Sequence, residues 1–373
     1  MRSAPPRHRL LVAGLAIAIA TGTTVMTTQI LGASAAVRPT AVVAIGDSFA
    51  AGEGAGSYEP DTDRAGNLCH RSTTSAVNNT AIPGIEARIS LGCSGATTDH
   101  VRLGGEVRYG EAPQAERLRV VARDYRVKVV VLTVGVNNIG FANLVIDCMR
   151  AYFLIGPRCQ DSWSAKVTNT LAETAPKLAQ IIADVRTVMR DAGYATSDYE
   201  LVLQSYSSPF AVDNRYSLTK AFQGCPFRAD DSRWARDVAV PQIAAAISRA
   251  AADAGARFLD LGPALHGREV CAAGITHSQE WANGVFVDVR QLRNGLGENL
   301  VQQSAHPTAR GYAQLGRCLT AFYALAATNG RCVRGADGNL AAVAVGGLAP
   351  VAPHTVPPIP EPSPAAEPIP GEA

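Results

Sequence analysis

The run Ala41-Val42-Val43-Ala44-Ile45-Gly46-Asp47-Ser48-Phe49 decides the reading of this chain. Its first five residues are apolar and include three β-branched side chains. Such a run reads as a short strand buried on both faces of a parallel sheet. Gly46 permits a sharp turn after it. A serine just beyond then presents its hydroxyl at the carboxyl edge of the sheet, where open α/β sheets bind ligands. Asp and Ser are also ordinary turn residues, so the tripeptide gains meaning only from partners elsewhere in the chain.

Strands of the same kind are expected at Ala87–Leu91, Val127–Val134, Leu201–Gln204 and Arg257–Leu261. Stretches with apolar residues at helical spacing lie between and after them, at 165–190, 237–254 and 308–326. In the first of these Leu171, Leu178, Ile181, Ile182 and Val185 mark the buried face. The alternation predicts a doubly wound α/β architecture.

The residues just past each strand are chemically suggestive. Gly46-Asp47-Ser48 comes after the first, Cys93-Ser94-Gly95-Ala96 after the second, and Gly135-Val136-Asn137-Asn138-Ile139-Gly140 after the third. His306-Pro307 precedes the last helical stretch. A parallel sheet gathers these loops at one edge. A serine hydroxyl becomes a nucleophile when a base takes its proton, and histidine titrates near neutral pH. Attack on an ester carbonyl develops an oxyanion that needs fixed donors. A glycine amide approaches closely, and an asparagine NH₂ supplies another donor.

Taken together, Ser48, Gly95, Asn137 and His306 resemble, in order, the four blocks of the SGNH (GDSL-type) esterase and lipase superfamily. Gly46-Asp47-Ser48-Phe49-Ala50-Ala51-Gly52-Glu53-Gly54, Cys69-His70-Arg71-Ser72, Cys93-Ser94-Gly95-Ala96 and Gly267-Arg268-Glu269-Val270-Cys271 look like its secreted actinobacterial branch. The resemblance spans about residues 40–325. It implies a three-layer α/β/α fold of flavodoxin-like type with a mostly parallel five-stranded sheet. It implies Ser48 as nucleophile and His306 as general base. The oxyanion hole would be the Ser48 amide, the Gly95 amide and the Asn137 side chain.

Two positions depart from the family pattern. Gln303 stands where an aspartate three residues before the histidine is commoner, and Asn138 stands where many members carry Asp. A carboxylate normally fixes the imidazole tautomer and stabilises its cation, which Gln303 cannot do. The expectation is a Ser48–His306 dyad in which the Gln303 carbonyl, main-chain or side-chain, accepts the other ring N–H. Asp288 and Glu298 are the alternative acids, although no spacing favours either. His70, His100, His266 and His277 are read as surface or structural residues, with His70 a secondary candidate for the cleft. Glu53, Gly52 and Gly54 are read as shaping the loop after the nucleophile, Asp260 as structural, and Trp163, Trp234 and Trp281 as packing.

The 373-residue chain is 47% hydrophobic and 18% charged, which suits a large single domain. Its net charge of +2 includes Arg2, Arg7 and Arg9 of a leader. The remainder is close to neutral and gives no reason to expect nucleic acid as a partner. The leader has a basic start, an apolar stretch from Leu10 to Ala20 and small residues through Ala33-Ser34-Ala35-Ala36. Residues 1–36 therefore read as a secretory signal. The alternative, an uncleaved anchor, has too short an apolar core for a span.

Eight cysteines suit an exported chain held by disulfides. On the order of a hundred pairings are open to them. Pairing of neighbours closes loops of modest length: Cys69–Cys93, Cys148–Cys159, Cys225–Cys271 and Cys318–Cys332. The chain has no Cys-x-x-Cys pair and no His-x-x-x-His spacing, which argues against zinc.

Residues 37–335 are expected to fold as one hydrolase domain, and 336–373 as a disordered Pro-rich tail. From Pro350 onward the tail holds nine of the 22 prolines. It either crosses a cell-wall layer or trails. The expected protein is a monomeric, extracellular serine esterase or lipase, free or at a cell wall or lipid surface. It would act on lipid or short-to-medium acyl esters without metal or organic cofactor. The alternatives are a carbohydrate acetyl esterase, or a non-catalytic cell-wall binding protein on a hydrolase scaffold.

Overall fold

A computed structural model describes residues 38–154, 157–212, 218–285 and 302–346, with the backbone alone at Leu218 and Lys220. The leader, Asp288, Glu298 and the chain beyond residue 346 lie outside the described residues. Among the described residues one seven-stranded sheet has the order β2-β1-β3-β4-β5-β6-β7. Its strands are β1 (Thr40–Gly46), β2 (Ala87–Ser90), β3 (Arg126–Thr133), β4 (Glu200–Gln204), β5 (Arg257–Asp260), β6 (Asn329–Arg334) and β7 (Leu340–Ala344). The first six pair in parallel, and β7 returns antiparallel on β6. β1 to β5 match the five expected strands, and β1 is buried along its whole length.

The expected count of five strands is corrected by this edge pair. Asn329-Gly330-Arg331-Cys332-Val333-Arg334 is polar at alternate positions and only half buried. It carries no continuous apolar run for the eye to find. The folded part consequently continues past residue 335, where the tail was expected to begin, through the strand at 340–344.

The helices are α1 (Ser48–Ala51), α2 (Thr98–Val101), α3 (Gln114–Asp124), α4 (Val136–Ile139), α5 (Phe141–Phe153), α6 (Cys159–Asp191), α7 (Leu218–Phe222), α8 (Ala229–Trp234), α9 (Val240–Asp253) and α10 (Ala309–Ala324). A π-helical turn over Ala235–Ala239 joins α8 to α9. In one layer α6 packs against both α3 and α9. In the other, α10 lies on β6 and β7 and against the long β1–β2 connection, where Gly316 closes on Ala76 and Asn79. The result is the three-layer α/β/α arrangement expected.

β1 lies between β2 and β3, so the order of strands reverses there. Ligands of open α/β sheets bind in the crevice outside such a switch point. No helix among the described residues is long and apolar enough to cross a membrane. The four neighbouring cysteine pairs stand as disulfides in the structure. Cys69–Cys93 ties the turn around His70 to the loop after β2, Cys148–Cys159 joins α5 to α6, and Cys318–Cys332 pins α10 to β6. Each contributes about 2–4 kcal/mol in the usual range.

Candidate active site

The turn that carries Ser48 is built by steric necessity. Gly46 has φ +139°, and a Cβ there would sit 1.9 Å from the Thr133 carbonyl oxygen. Only glycine fits. The Gln114 side chain brackets it, accepting the Gly46 N–H at 2.6 Å and donating to the Gly46 carbonyl at 2.7 Å. Asp47 caps α1 by accepting the Phe49 N–H at 3.0 Å. Its second oxygen accepts the Tyr206 hydroxyl. Burial pushes the Asp47 carboxyl up to about 7, and the bonds from Tyr206 and Phe49 hold it from rising further. These contacts fix the backbone on both sides of Ser48.

Ser48 Oγ lies 2.7 Å from His306 Nε2. On the far side of the ring, Nδ1 lies 2.9 Å from the Ser304 main-chain carbonyl. Nδ1–H therefore donates to that carbonyl, which leaves Nε2 as the acceptor facing the serine. The expectation for Gln303 is corrected here: the carbonyl that supports the histidine belongs to Ser304. Ala305, at φ +62°, turns the chain so that the carbonyl two residues before His306 points at the ring. The Gln303 carbonyl instead faces Gly54. Burial lowers the His306 pKa, and the Glu53 charge and the Ser304 and Gln302 carbonyls only partly offset it. The ring is thus held neutral and ready to take a proton.

Asn283, which sequence reading missed, locks this loop. Its N–H donates to the His306 carbonyl at 2.8 Å, and its carbonyl accepts the Ala305 N–H at 3.1 Å. Its side-chain amide donates to the Gly54 carbonyl at 2.9 Å. A lone asparagine far from any motif carries no sequence signal for such a role.

Gly95 and Asn137 come together beside Ser48, lining one cavity with it and His306. Gly95 has φ +71°, and a Cβ there would meet Arg108 Nη2 at 2.1 Å. Arg108 Nε donates to the Ser94 carbonyl at 3.0 Å and so holds the loop. Asn137 Nδ2 donates one hydrogen to the Ala96 carbonyl at 3.0 Å, which leaves its second for a ligand. The Ser48 N–H opens α1, where a helical amide has no partner within the helix. Asn138 binds Thr98, accepting its N–H at 3.1 Å and donating to its hydroxyl at 2.9 Å.

Glu53 is fully buried and anchors a second network. It accepts from His70 Nδ1 at 2.8 Å, from the Tyr58 hydroxyl at 3.0 Å and from the Ser94 hydroxyl. The motif around His70 is thus structural, reaching the Gly95 loop through Ser94. Asp260 is structural as read: it accepts from Ser205 at 3.0 Å and pairs with Arg331 at 2.8 Å. Trp163 and Trp281 are buried in packing. His100 bonds Thr97 at the start of α2.

Two cavities meet at Ser48 and His306. The first is walled by apolar residues such as Ile139, Leu144, Phe210, Phe227 and Ile243. The second is bordered by Gly95, Asn137, Arg108 and Gln302 and by the apolar Val145, Ile146 and Met149. The first is almost wholly apolar, and the second carries the larger share of polar groups.

The GDSL-like lipase/acylhydrolase family matches residues 44–314. A lipase of Streptomyces rimosus is 27% identical over 291 residues, which is 76% of this chain and 89% of that protein. Lipase 2 of Streptomyces coelicolor is 28% identical over 276 residues, 72% of this chain and 81% of its own. The crystal structure of the extracellular lipase of Streptomyces rimosus covers 77% of this chain and 100% of its own, with a TM-score of 0.51 at 24% identity, a likeness of fold.

Proposed function

The chain belongs to the GDSL-like lipase/acylhydrolase family and is a carboxylic ester hydrolase, and from that premise we propose that it works through a Ser48–His306 dyad without a carboxylate. The observation that carries this reading is Ser48 Oγ at 2.7 Å from His306 Nε2, with Nδ1 against the Ser304 carbonyl at 2.9 Å. Ser48 Oγ attacks the ester carbonyl carbon while its proton passes to His306 Nε2. The carbonyl electrons move onto oxygen, and the resulting oxyanion meets the Ser48 N–H, the Gly95 N–H and the free Asn137 hydrogen. The imidazolium then returns its proton to the departing alkoxide, leaving an acyl-Ser48 ester. Water, deprotonated by the same nitrogen, repeats the cycle and releases the acid. Loss of one such oxyanion donor raises the barrier by about 3–4 kcal/mol in a comparable hydrolase.

The acyl chain occupies the apolar cavity and the alcohol the more polar one. This favours lipid and short-to-medium acyl esters over acetylated carbohydrate, in keeping with the two Streptomyces lipases. Export is the reading that fits the leader and the four disulfides.

The test is hydrolysis of a p-nitrophenyl ester chain-length series and of acetylated xylan, with Ser48→Ala as control. Activity on the longer esters that Ser48→Ala abolishes is expected. A preference for acetylated xylan over every longer ester would overturn the lipid assignment. Undiminished activity in Ser48→Ala would overturn the dyad.

A further inference from the structure

The second cavity at Ser48 holds a charge that the ester reaction does not use. Arg108 borders it beside Gly95, and no acidic side chain among the described residues does. The guanidinium is half buried and fixed in orientation. Its Nε donates to the Ser94 carbonyl at 3.0 Å, and its Nη2 donates to the Tyr109 hydroxyl at 3.3 Å and stands against Gly95. The Tyr109 ring covers it at 4.5 Å. Nη1 has no hydrogen-bond partner among the described residues and is not one of the buried unpaired atoms, so it is open to solvent. The nearby Arg71 and Arg117 both pair with Glu111. Arg108 has no carboxylate partner among the described residues, although arginines withdrawn from water are usually paired.

We propose that Arg108 makes the second cavity a subsite for an anion, a phosphate carried by the alcohol part of the ester. The inference rests on the alcohol assignment of this cavity made above. A guanidinium presents its N–H groups in a planar fork that matches phosphate oxygens. Such a charge-assisted bond is roughly twice as strong as a neutral one. A neutral alcohol leaves Nη1 to water, and a cationic alcohol is repelled. The apolar Ile146, Met149 and Val285 border the same cavity, so the alcohol that fills it carries a hydrocarbon portion along with its anion. A glyceride bearing one phosphodiester has both. Nη2 lies against Gly95, whose amide is assigned to the oxyanion, so the phosphate sits close along the chain from the scissile carbonyl. The first cavity offers no arginine or lysine among the described residues, which keeps the anion on the alcohol side.

The test compares kcat/KM for dihexanoylglycerol methyl phosphate, a phosphodiester, with that for dihexanoylglycerol methyl ether, both as dissolved monomers. The phosphodiester is expected to be hydrolysed about ten-fold faster, in line with a hydrogen bond to a charged group. That ratio is expected to fall as sodium chloride screens the pair. In Arg108→Gln the ratio is expected to approach one, and in Arg108→Lys, which keeps a charge, to stay above it. If Arg108 only holds the Ser94 loop, both variants slow the two substrates alike and the ratio does not move, which overturns the inference. Equal or slower hydrolysis of the phosphodiester by the native enzyme also overturns it. Inhibition by inorganic phosphate without a preference between the two esters would assign Arg108 to a free anion instead and overturn it as well. An acyl-side control, p-nitrophenyl hydrogen adipate against p-nitrophenyl hexanoate, is expected to show the charged ester as the slower. A faster adipate would place the anion with the acyl chain and contradict the assignment. Failure to hydrolyse any ester sinks the proposed function and this inference with it.

Discussion

His70 and His306 lie on the two sides of the Glu53-Gly54 dipeptide in opposite electrostatic settings. His70 is fully buried, with Nδ1 at 2.8 Å from Glu53 and Nε2 at 3.4 Å from Asp63, an ion-pair distance without hydrogen-bond geometry. Burial alone would lower its pKa, but the two carboxylates more than offset that and hold it above the usual value. It stacks on Tyr58 with ring centroids 4.7 Å apart. Among the described residues no carboxylate bonds the His306 ring, which meets the Ser304 carbonyl and Ser48 Oγ, and burial lowers its pKa. The histidine beside two acids is biased towards its charged form within a structural knot, and the histidine that bonds none among the described residues is biased towards its neutral form. A base that must be neutral before it acts needs its tautomer fixed more than it needs a counter-charge. The Ser304 carbonyl fixes the tautomer by itself.

The largest way to break this comparison is to remove each ring in turn. His306→Ala is expected to lower kcat by about ten-thousand-fold or more, with the melting temperature nearly unchanged. His70→Ala is expected to reverse the pattern, lowering the melting temperature while the surviving folded enzyme keeps kcat within about ten-fold. Steady-state rates and thermal unfolding of the two variants check it, and a collapse of kcat in folded His70→Ala would mean the two histidines are not separable.

A smaller effect is expected from Glu53→Gln. Breaking a buried ion pair from one side leaves the other charge uncompensated and destabilises by about 3 kcal/mol. Urea unfolding is expected to register that loss. The acid limb of kcat/KM is expected to move to lower pH, since the Glu53 charge raises the His306 pKa. No change in either measurement would remove Glu53 from the account.

Much of this was legible from residue types, because the informative groups are side chains at strand ends. Ser48, Gly95, Asn137 and His306 each follow or precede a recognisable element, and several of the strands β1 to β5 are near-continuous apolar runs. The support of His306 was not legible. A main-chain carbonyl has no letter, and whether Gln303 or Ser304 presents it depends on the positive φ of Ala305. The Glu53–His70 pair was hidden for a related reason, as His70 itself has φ +49° and its partner lies 17 residues away. The edge strand β6 escaped because its half-exposed residues show no apolar run, and β7 because its apolar run, Leu340–Ala344, fell within the stretch read as tail.

The smallest expected effect lies in the pH dependence of stability. His70 has a folded pKa above its unfolded value of about 6.5, so its contribution is fully present below that value and is lost as pH rises through the folded pKa. The stability difference between native protein and His70→Gln is expected to be largest near pH 5 and to shrink towards alkaline pH. Asp47 tilts stability over a neighbouring window. Its folded pKa of about 7 exceeds the unfolded value near 3.9, so the folded state retains a proton that the unfolded state has lost, and stability falls as pH rises between those values. Asp47→Asn is expected to flatten that slope in urea titrations.

The central claim is that Ser48 is activated by a neutral His306 supported by a carbonyl alone. Its most direct test is the rate of covalent modification by a fluorophosphonate as a function of pH, with the adduct located by mass spectrometry. The predicted result is an adduct on Ser48 whose rate of formation rises to a plateau with a midpoint below about 6.5. An adduct on another residue, or a midpoint above that value, would contradict it.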